Sequence, residues 1–142
     1  MLKLLVPIDG SKSAERAIRH VVALGGEGRS VHVHLVTAYE EPLIVGELAA
    51  YVPLEKIDEA QRARSTALLA PALAALDAAG VPHTDEILVG PVAESIANCA
   101  DARKVDAIVM GTRGMTAIGN LVMGSVATRV VHLAHVPVTL VK

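Results

Sequence analysis

The residues best suited to chemistry are Met110-Gly111-Thr112-Arg113-Gly114, followed after nine residues by Gly124-Ser125-Val126-Ala127. The first glycines close an apolar run, Val105 to Met110, and Gly124 opens a segment with helical spacing, which reads as strand, glycine-rich turn, helix. At the carboxyl end of a parallel strand, such a turn lets backbone N–H groups approach an anion. The next helix's N-terminus adds a partial positive charge worth ~0.3 to 1 kcal/mol per favourable contact. Gly124 and Ser125 can then offer backbone N–H groups and a hydroxyl to phosphate oxygens, and a triphosphate suits the cradle. With Gly119 between them, these make four glycines within 14 residues, which also suit a tight loop over a sheet edge or a close helix–strand contact.

Position favours the phosphate reading. In a doubly wound sheet, ligands bind beyond the carboxyl ends of the strands, where the strand order reverses. Pro7-Ile8-Asp9 ends the first apolar run and Gly111 ends the fourth, so the two can share one crevice. Asp9 is a candidate for a ribose hydroxyl or for a metal on the phosphates; capping the first helix or turn is its equally weighted alternative.

The elements that must position these groups follow from periodicity. Leu2 to Ile8 is a nearly all-apolar run rich in branched residues, ending at the turn signal Asp9-Gly10-Ser11. Ser11 or Ser13 can cap a helix carrying Ala14, Ala17, Ile18, Val21 and Val22 at helical spacing, which Gly25-Gly26 stops. Val31 to Ala38 is the second strand. Leu54 to Ala79 carries a helical stripe through Ile57, Ala60, Ala67, Leu68, Ala75 and Leu76, and Pro71 is expected to bend or interrupt it. Thr84 to Val89 is the third strand. Pro91 opens a helix whose inner stripe is Ile96, Cys99 and Ala100. Val105 to Met110, Gly124 to Ala134 and Val136 to Val141 are the fourth strand, last helix and fifth strand. The irregular stretch from Tyr39 to Pro53 is long for a compact domain and reads as a lid over the cleft or a partner surface.

Strands apolar on both faces, alternating with helices, imply an α/β three-layer domain: an open parallel sheet with helices on both sides and right-handed crossovers. The chain's 142 residues suit one such domain, 1–142. With 52% hydrophobic and 20% charged residues, it has the apolar content of a folded chain.

Several functions are disfavoured. No glycine precedes a lysine, so there is no P-loop. Gly26-Glu27-Gly28 continues into Ser30-Val31 and precedes a strand, which fails the dinucleotide fingerprint. Neither a G-x-S-x-G nucleophile elbow nor the acidic third-strand terminus of a receiver domain is present. A formal charge of -2, unclustered basic residues and only two aromatics, Tyr39 and Tyr51, argue against a nucleic-acid partner. The longest uncharged run, Gly114 to Thr128, is too short to span a bilayer, and the apolar start meets Asp9 before reaching signal-peptide length. A soluble protein is therefore expected, with no membrane partner. One cysteine, Cys99, fits a reducing cytoplasm and reads as a buried structural thiol. His32 and His34 share a strand face that could suit a metal, but no Cys or carboxylate lies at matching spacing nearby, and they read as a solvated or partly buried face. His132 and His135 read as surface or dipole-facing residues. No metal site is assigned.

The G-x-x-G, nine residues, G-[ST] spacing, with Pro7-Ile8-Asp9-Gly10-Ser11 at the start and Val136-Pro137-Val138 near the end, resembles the universal stress protein family and, more narrowly, its ATP-binding branch. Ala93-Glu94-Ser95-Ile96 and Val105 to Gly111 extend the match over nearly the whole chain. The resemblance implies a five-stranded parallel sheet in the order 3-2-1-4-5 and ATP, ADP or AMP in the cleft, with magnesium or manganese bridging the phosphates. It places Pro7, Ile8 and Asp9 on the adenosine side, and Met110, Gly111, Arg113, Gly114, Gly124, Ser125 and Val126 around ribose and phosphates. Thr37 and Ala38, matched by position only, would meet adenine through backbone; Arg113 lies in a variable slot where a solvated role is the alternative. It also implies a homodimer through Val136 to Val141, an apolar edge suited to pairing, and a stress-response role regulated by nucleotide. No recognisable base and no lysine in the cradle point to binding, with slow ATP hydrolysis or phosphoryl transfer as one alternative and a nucleotide-free dimeric module as another.

Overall fold

The computed structural model describes residues 1–43, 46–113 and 123–142. The chain begins with β1 (Leu2–Pro7), α1 (Lys12–Gly26) and β2 (Val31–Tyr39). A 3-10 turn at Gly46–Ala50 leads to α2 (Leu54–Ala78), β3 (His83–Val89) and α3 (Val92–Arg103). β4 (Ala107–Gly111), α4 (Ser125–Leu133) and β5 (Val138–Val141) complete it. All strand pairs are parallel, in the order β3-β2-β1-β4-β5, as the resemblance implied.

β1 is central because its neighbours lie on opposite sides: Leu2 to Pro7 pair with Val31 to Val36, while Leu4 and Leu5 pair with Ala107 and Ile108. Alternate side chains of a strand face opposite ways, and each face of β1 finds a core. Leu4 and Val6 join Val33, Leu35, Ala17, Val21, Leu69 and Leu76 under α1 and α2. Leu5 joins Val36, Ile108, Ile96, Ala100 and Val130 under α3 and α4. Each fully buried Leu, Ile or Val contributes roughly 1.5 to 3 kcal/mol, so the apolar runs hold the carboxyl ends of β1, β2 and β4 along one rim.

Several elements depart from the sequence expectations. β4 starts at Ala107, not Val105, and β5 at Val138, not Val136. Val105 is buried under α3 without joining the ladder. β3 starts at His83, not Thr84, and carries exposed Thr84 and Asp85 instead of being apolar on both faces, which an edge strand tolerates. Pro71 neither ends nor splits α2, which runs on to Ala78 with Pro71 on its exposed side. The buried positions of α2 are Ser65, Leu69, Ala72 and Leu76, while Ala60, Ala67 and Ala75 are exposed. Alanine favours helix on any face, so an alanine-rich helix carries little phase information. No helix among the described residues is long and apolar enough to cross a membrane.

Candidate functional site

At the rim where the strand order reverses, the chain encloses a cleft of about 510 Å³. Pro7, Ile8 and Asp9 line it from the end of β1, and Thr37 and Ala38 from β2. Met110, Gly111 and Arg113 line it from β4, and Gly124, Ser125 and Val126 from the start of α4. Of the candidate residues, Gly114 alone lies outside those described.

Backbone bonds fix this arrangement. The Ile8 N–H donates to the Val36 carbonyl at 2.7 Å, extending the β1–β2 ladder to the rim. Asp9 Oδ1 accepts the Ser11 N–H at 2.9 Å, closing a turn in which Gly10 takes φ 83, a value that favours glycine. Asp9 therefore performs its turn-capping role while remaining exposed at the cleft. Ser11 is the N-cap of α1, its hydroxyl accepting the Ala14 N–H at 3.2 Å. Ser13, two residues on, donates its hydroxyl to the Arg113 carbonyl at 2.5 Å.

Across the cleft, the Thr112 N–H donates to the Val141 carbonyl at 3.0 Å, and the Thr112 carbonyl accepts the Gly124 N–H at 2.5 Å. This clasp sets the first turn of α4 beside the end of β4. Gly124, the N-cap, supplies no side-chain cap, so the leading N–H groups of α4 are available to an anion. Gly124 is extended, at φ -72 and ψ 165, a conformation open to any residue; its lack of a side chain matters for approach.

Other cleft residues lacked a sequence motif. The α2 residues Gln61, Arg64, Ser65 and Leu68 form one wall; three of the four are polar, so no apolar stripe marked them in the sequence. Among the described residues, only Tyr39 of the 39–53 segment lines the cleft, so α2 takes the place expected of a lid. Its phenol donates to Asp58 Oδ1 at 2.7 Å; that bond and partial burial raise the phenol above its ordinary range. Thr112 Oγ1 is buried and has no hydrogen-bond partner among the described residues. Such a group is costly unless a ligand or water meets it.

Beyond the cleft, Arg129 of α4 pairs with Glu94 of α3, and that hydrogen bond holds the Glu94 carboxyl below its usual range. His135 meets Asp101 at 2.9 Å, matching a surface role. Sequence spacing offered His34 no partner ligand, but the fold brings Glu86 from β3 and Cys99 from α3 beside it, while His32 does not join them.

The chain also matches a family model described as "Universal stress protein family" over residues 1–142. It belongs to the universal stress protein family. A universal stress protein of Thermus aquaticus, encoded in a QAH/OAS sulfhydrylase 3' region, is 35% identical over 142 residues, covering 98% of this chain and 97% of that one. Universal stress protein MJ0577 of Methanocaldococcus jannaschii has a solved structure that superposes with a TM-score of 0.85 at 28% identity, covering 99% of this chain and 94% of that one. The universal stress protein from Archaeoglobus fulgidus, solved in complex with dAMP, gives 0.70 at 26% identity, covering 100% and 98%.

Proposed function

We propose that this universal stress protein binds an adenine nucleotide in the cleft between β1 and β4, with ATP as its physiological form. The observation that carries the reading is the convergence of Asp9, Gly111 and the uncapped α4 N-terminus on one 510 Å³ cleft. The dAMP complex of the Archaeoglobus relative supports adenine as the base. Thr37 and Ala38 offer the adenine a backbone edge at the end of β2. Gly111, Arg113, Gly114, Gly124 and Ser125 receive ribose and phosphates, with Val126 packing at the helix start. Magnesium or manganese would be held mainly by phosphate oxygens and water, and the single carboxylate among the described lining residues, Asp9, suits that sparse ligation.

The role is regulatory: bound nucleotide biases the rim formed by β4, α4 and α2, and a partner reads the change. β5 pairs with β4 alone among the described strands, leaving an apolar edge through which a second copy completes a homodimer. Calorimetric titration of ATP and AMP into nucleotide-free protein tests the binding claim, with Gly124→Val as the variant. The extended Gly124 backbone accepts valine, so the fold survives while the side chain blocks the phosphates. Equal ATP affinity in Gly124→Val would refute the phosphate cradle.

A further inference from the structure

On the sheet face beneath α3, away from the cleft lining, three metal-ligating side chains from three elements meet. His34 is on β2, Glu86 on β3 and Cys99 on α3, with His34 and Cys99 buried. Their donor atoms all lie within 4.8 Å of one another. His34 Nε2 is 3.0 Å from Glu86 Oε2, and Cys99 Sγ is 3.7 Å from the same oxygen. Zinc bonds of about 2.0 Å to N and O and about 2.3 Å to S imply ligand–ligand edges of roughly 3.3 to 3.6 Å in a tetrahedron. The two edges at Glu86 Oε2 thus stand near that spacing, and the His34–Cys99 edge, within 4.8 Å, closes by rotation of the side chains onto an ion.

We propose that His34, Glu86 and Cys99 form a binding site for a zinc-type divalent transition metal, distinct from the nucleotide cleft. A thiol, an imidazole and a carboxylate select such an ion over magnesium or calcium, which prefer oxygen. His34 Nδ1 lies 2.7 Å from Thr84 Oγ1. With the Nδ1–H donating to that hydroxyl, Nε2 presents its lone pair to the metal, the outer contact that commonly orients a ligating histidine. Metal entry replaces the Cys99 thiol proton, which leaves to solvent, and the thiolate and carboxylate together neutralise the ion's two charges.

Arg103 donates to Glu86 Oε2 at 2.9 Å. Its side chain is about half exposed, so it can turn to the other carboxylate oxygen when the ion takes this one. A shallow cavity bordered by Glu86, Ser95, Asn98, Cys99 and Arg103 opens over the cluster. It provides an entry path and room for a water as fourth ligand, the open arrangement of a three-ligand site.

The lone cysteine makes the test specific. The full chain, stripped of metal by chelation, is titrated with cobalt(II), then with zinc. The expected result is one cobalt per chain with a thiolate-to-cobalt charge-transfer band in the near ultraviolet, abolished by stoichiometric zinc. Cys99→Ala removes the band, Glu86→Gln weakens cobalt binding at least tenfold, and ATP affinity is unchanged in both. Circular dichroism verifies folding, with Cys99→Ser replacing the alanine variant if needed. Absence of the band at saturating cobalt, or its survival in folded Cys99→Ala, overturns the site and leaves a purely structural polar network. Neither outcome depends on nucleotide binding.

Discussion

Ser13 Oγ lies 2.5 Å from the carbonyl oxygen of Arg113, joining the first turn of α1 to the end of β4 across 100 residues of sequence. The same hydroxyl is 3.3 Å from the Arg113 N–H. One buried side chain therefore clamps the turn that follows β1 to the end of β4, beside Gly111. Ser13→Ala removes this clamp and should cost about 1 kcal/mol, the usual net value of such a bond. The melting midpoint is expected to fall roughly 3 to 5 °C, with a several-fold weaker ATP affinity in calorimetry as Arg113 and its neighbours lose their position.

The α1–β4 contact is closer still at Gly111. A Cβ there would collide with Ser13 Oγ and meet the Ser13 carbonyl carbon at 2.7 Å and the Ala14 nitrogen at 2.8 Å. Two of these are backbone atoms and cannot turn aside as a flexible side chain could. Gly111→Ala must push α1 away from β4, and overpacking of this kind costs about 3 kcal/mol. Chemical denaturation should show that loss, together with a drop in ATP affinity larger than that of Ser13→Ala. Wild-type stability in Gly111→Ala would mean that the two elements are not held this closely.

Much of this site was legible because its parts are local. Gly111 and Gly124-Ser125 announce a turn and a helix start, and the branched runs of β1 and β4 announce buried parallel strands whose ends form a rim. The α2 wall was not legible, since alanines at positions 60, 67 and 75 mimic an inner face that the fold assigns to Ser65, Leu69, Ala72 and Leu76. The His34 cluster was illegible for another reason. His34 pairs in register with Thr84 and Val36 with Glu86, so the relevant spacing runs across strands and onto α3, where no linear motif records it.

Pro71 occupies an exposed position within α2 and has no N–H to give the Ala67 carbonyl. A proline in a helix interior costs about 3 kcal/mol relative to alanine. Alanine also frees the unfolded chain, which offsets roughly 0.4 to 1 kcal/mol. The first effect wins. Pro71→Ala is expected to raise stability by about 2 kcal/mol in denaturant unfolding, with ATP affinity unaltered because Pro71 does not line the cleft. A fall in stability would show that the proline shapes how α2 wraps the sheet.

Tyr39 ties the rim of β2 to α2 through Asp58. The Asp58 carboxylate accepts a hydrogen bond from the phenol O–H and so favours the neutral phenol, which places ionisation above the ordinary value of 10.0. For a group raised on folding, the stabilisation is present below the unfolded-state pKa and disappears as pH rises through the folded-state value. The bond is thus intact at neutral pH and lost only in strong alkali. Spectrophotometric titration of Tyr39→Phe should lack the late-ionising phenolate of the wild type, and nucleotide affinity at neutral pH should fall modestly as the start of α2 loosens. An identical titration curve would show that the hydrogen bond is not formed in solution.

Thr112 separates the cost of a site from its use. Its hydroxyl is buried at the cleft without a hydrogen-bond partner among the described residues, so in nucleotide-free protein it carries a desolvation penalty of about 1 to 3 kcal/mol unless water enters. Valine has nearly the same shape and no hydroxyl. Thr112→Val should leave the melting temperature of the nucleotide-free protein unchanged or higher, whereas a side chain serving only the fold would lower it. If the hydroxyl meets ribose or phosphate, ATP affinity falls by roughly tenfold, the loss of one hydrogen bond to a charged group or a buried polar one. A stabilised variant with wild-type affinity would place the nucleotide elsewhere on the rim and confine Thr112 to its backbone clasp with Val141 and Gly124.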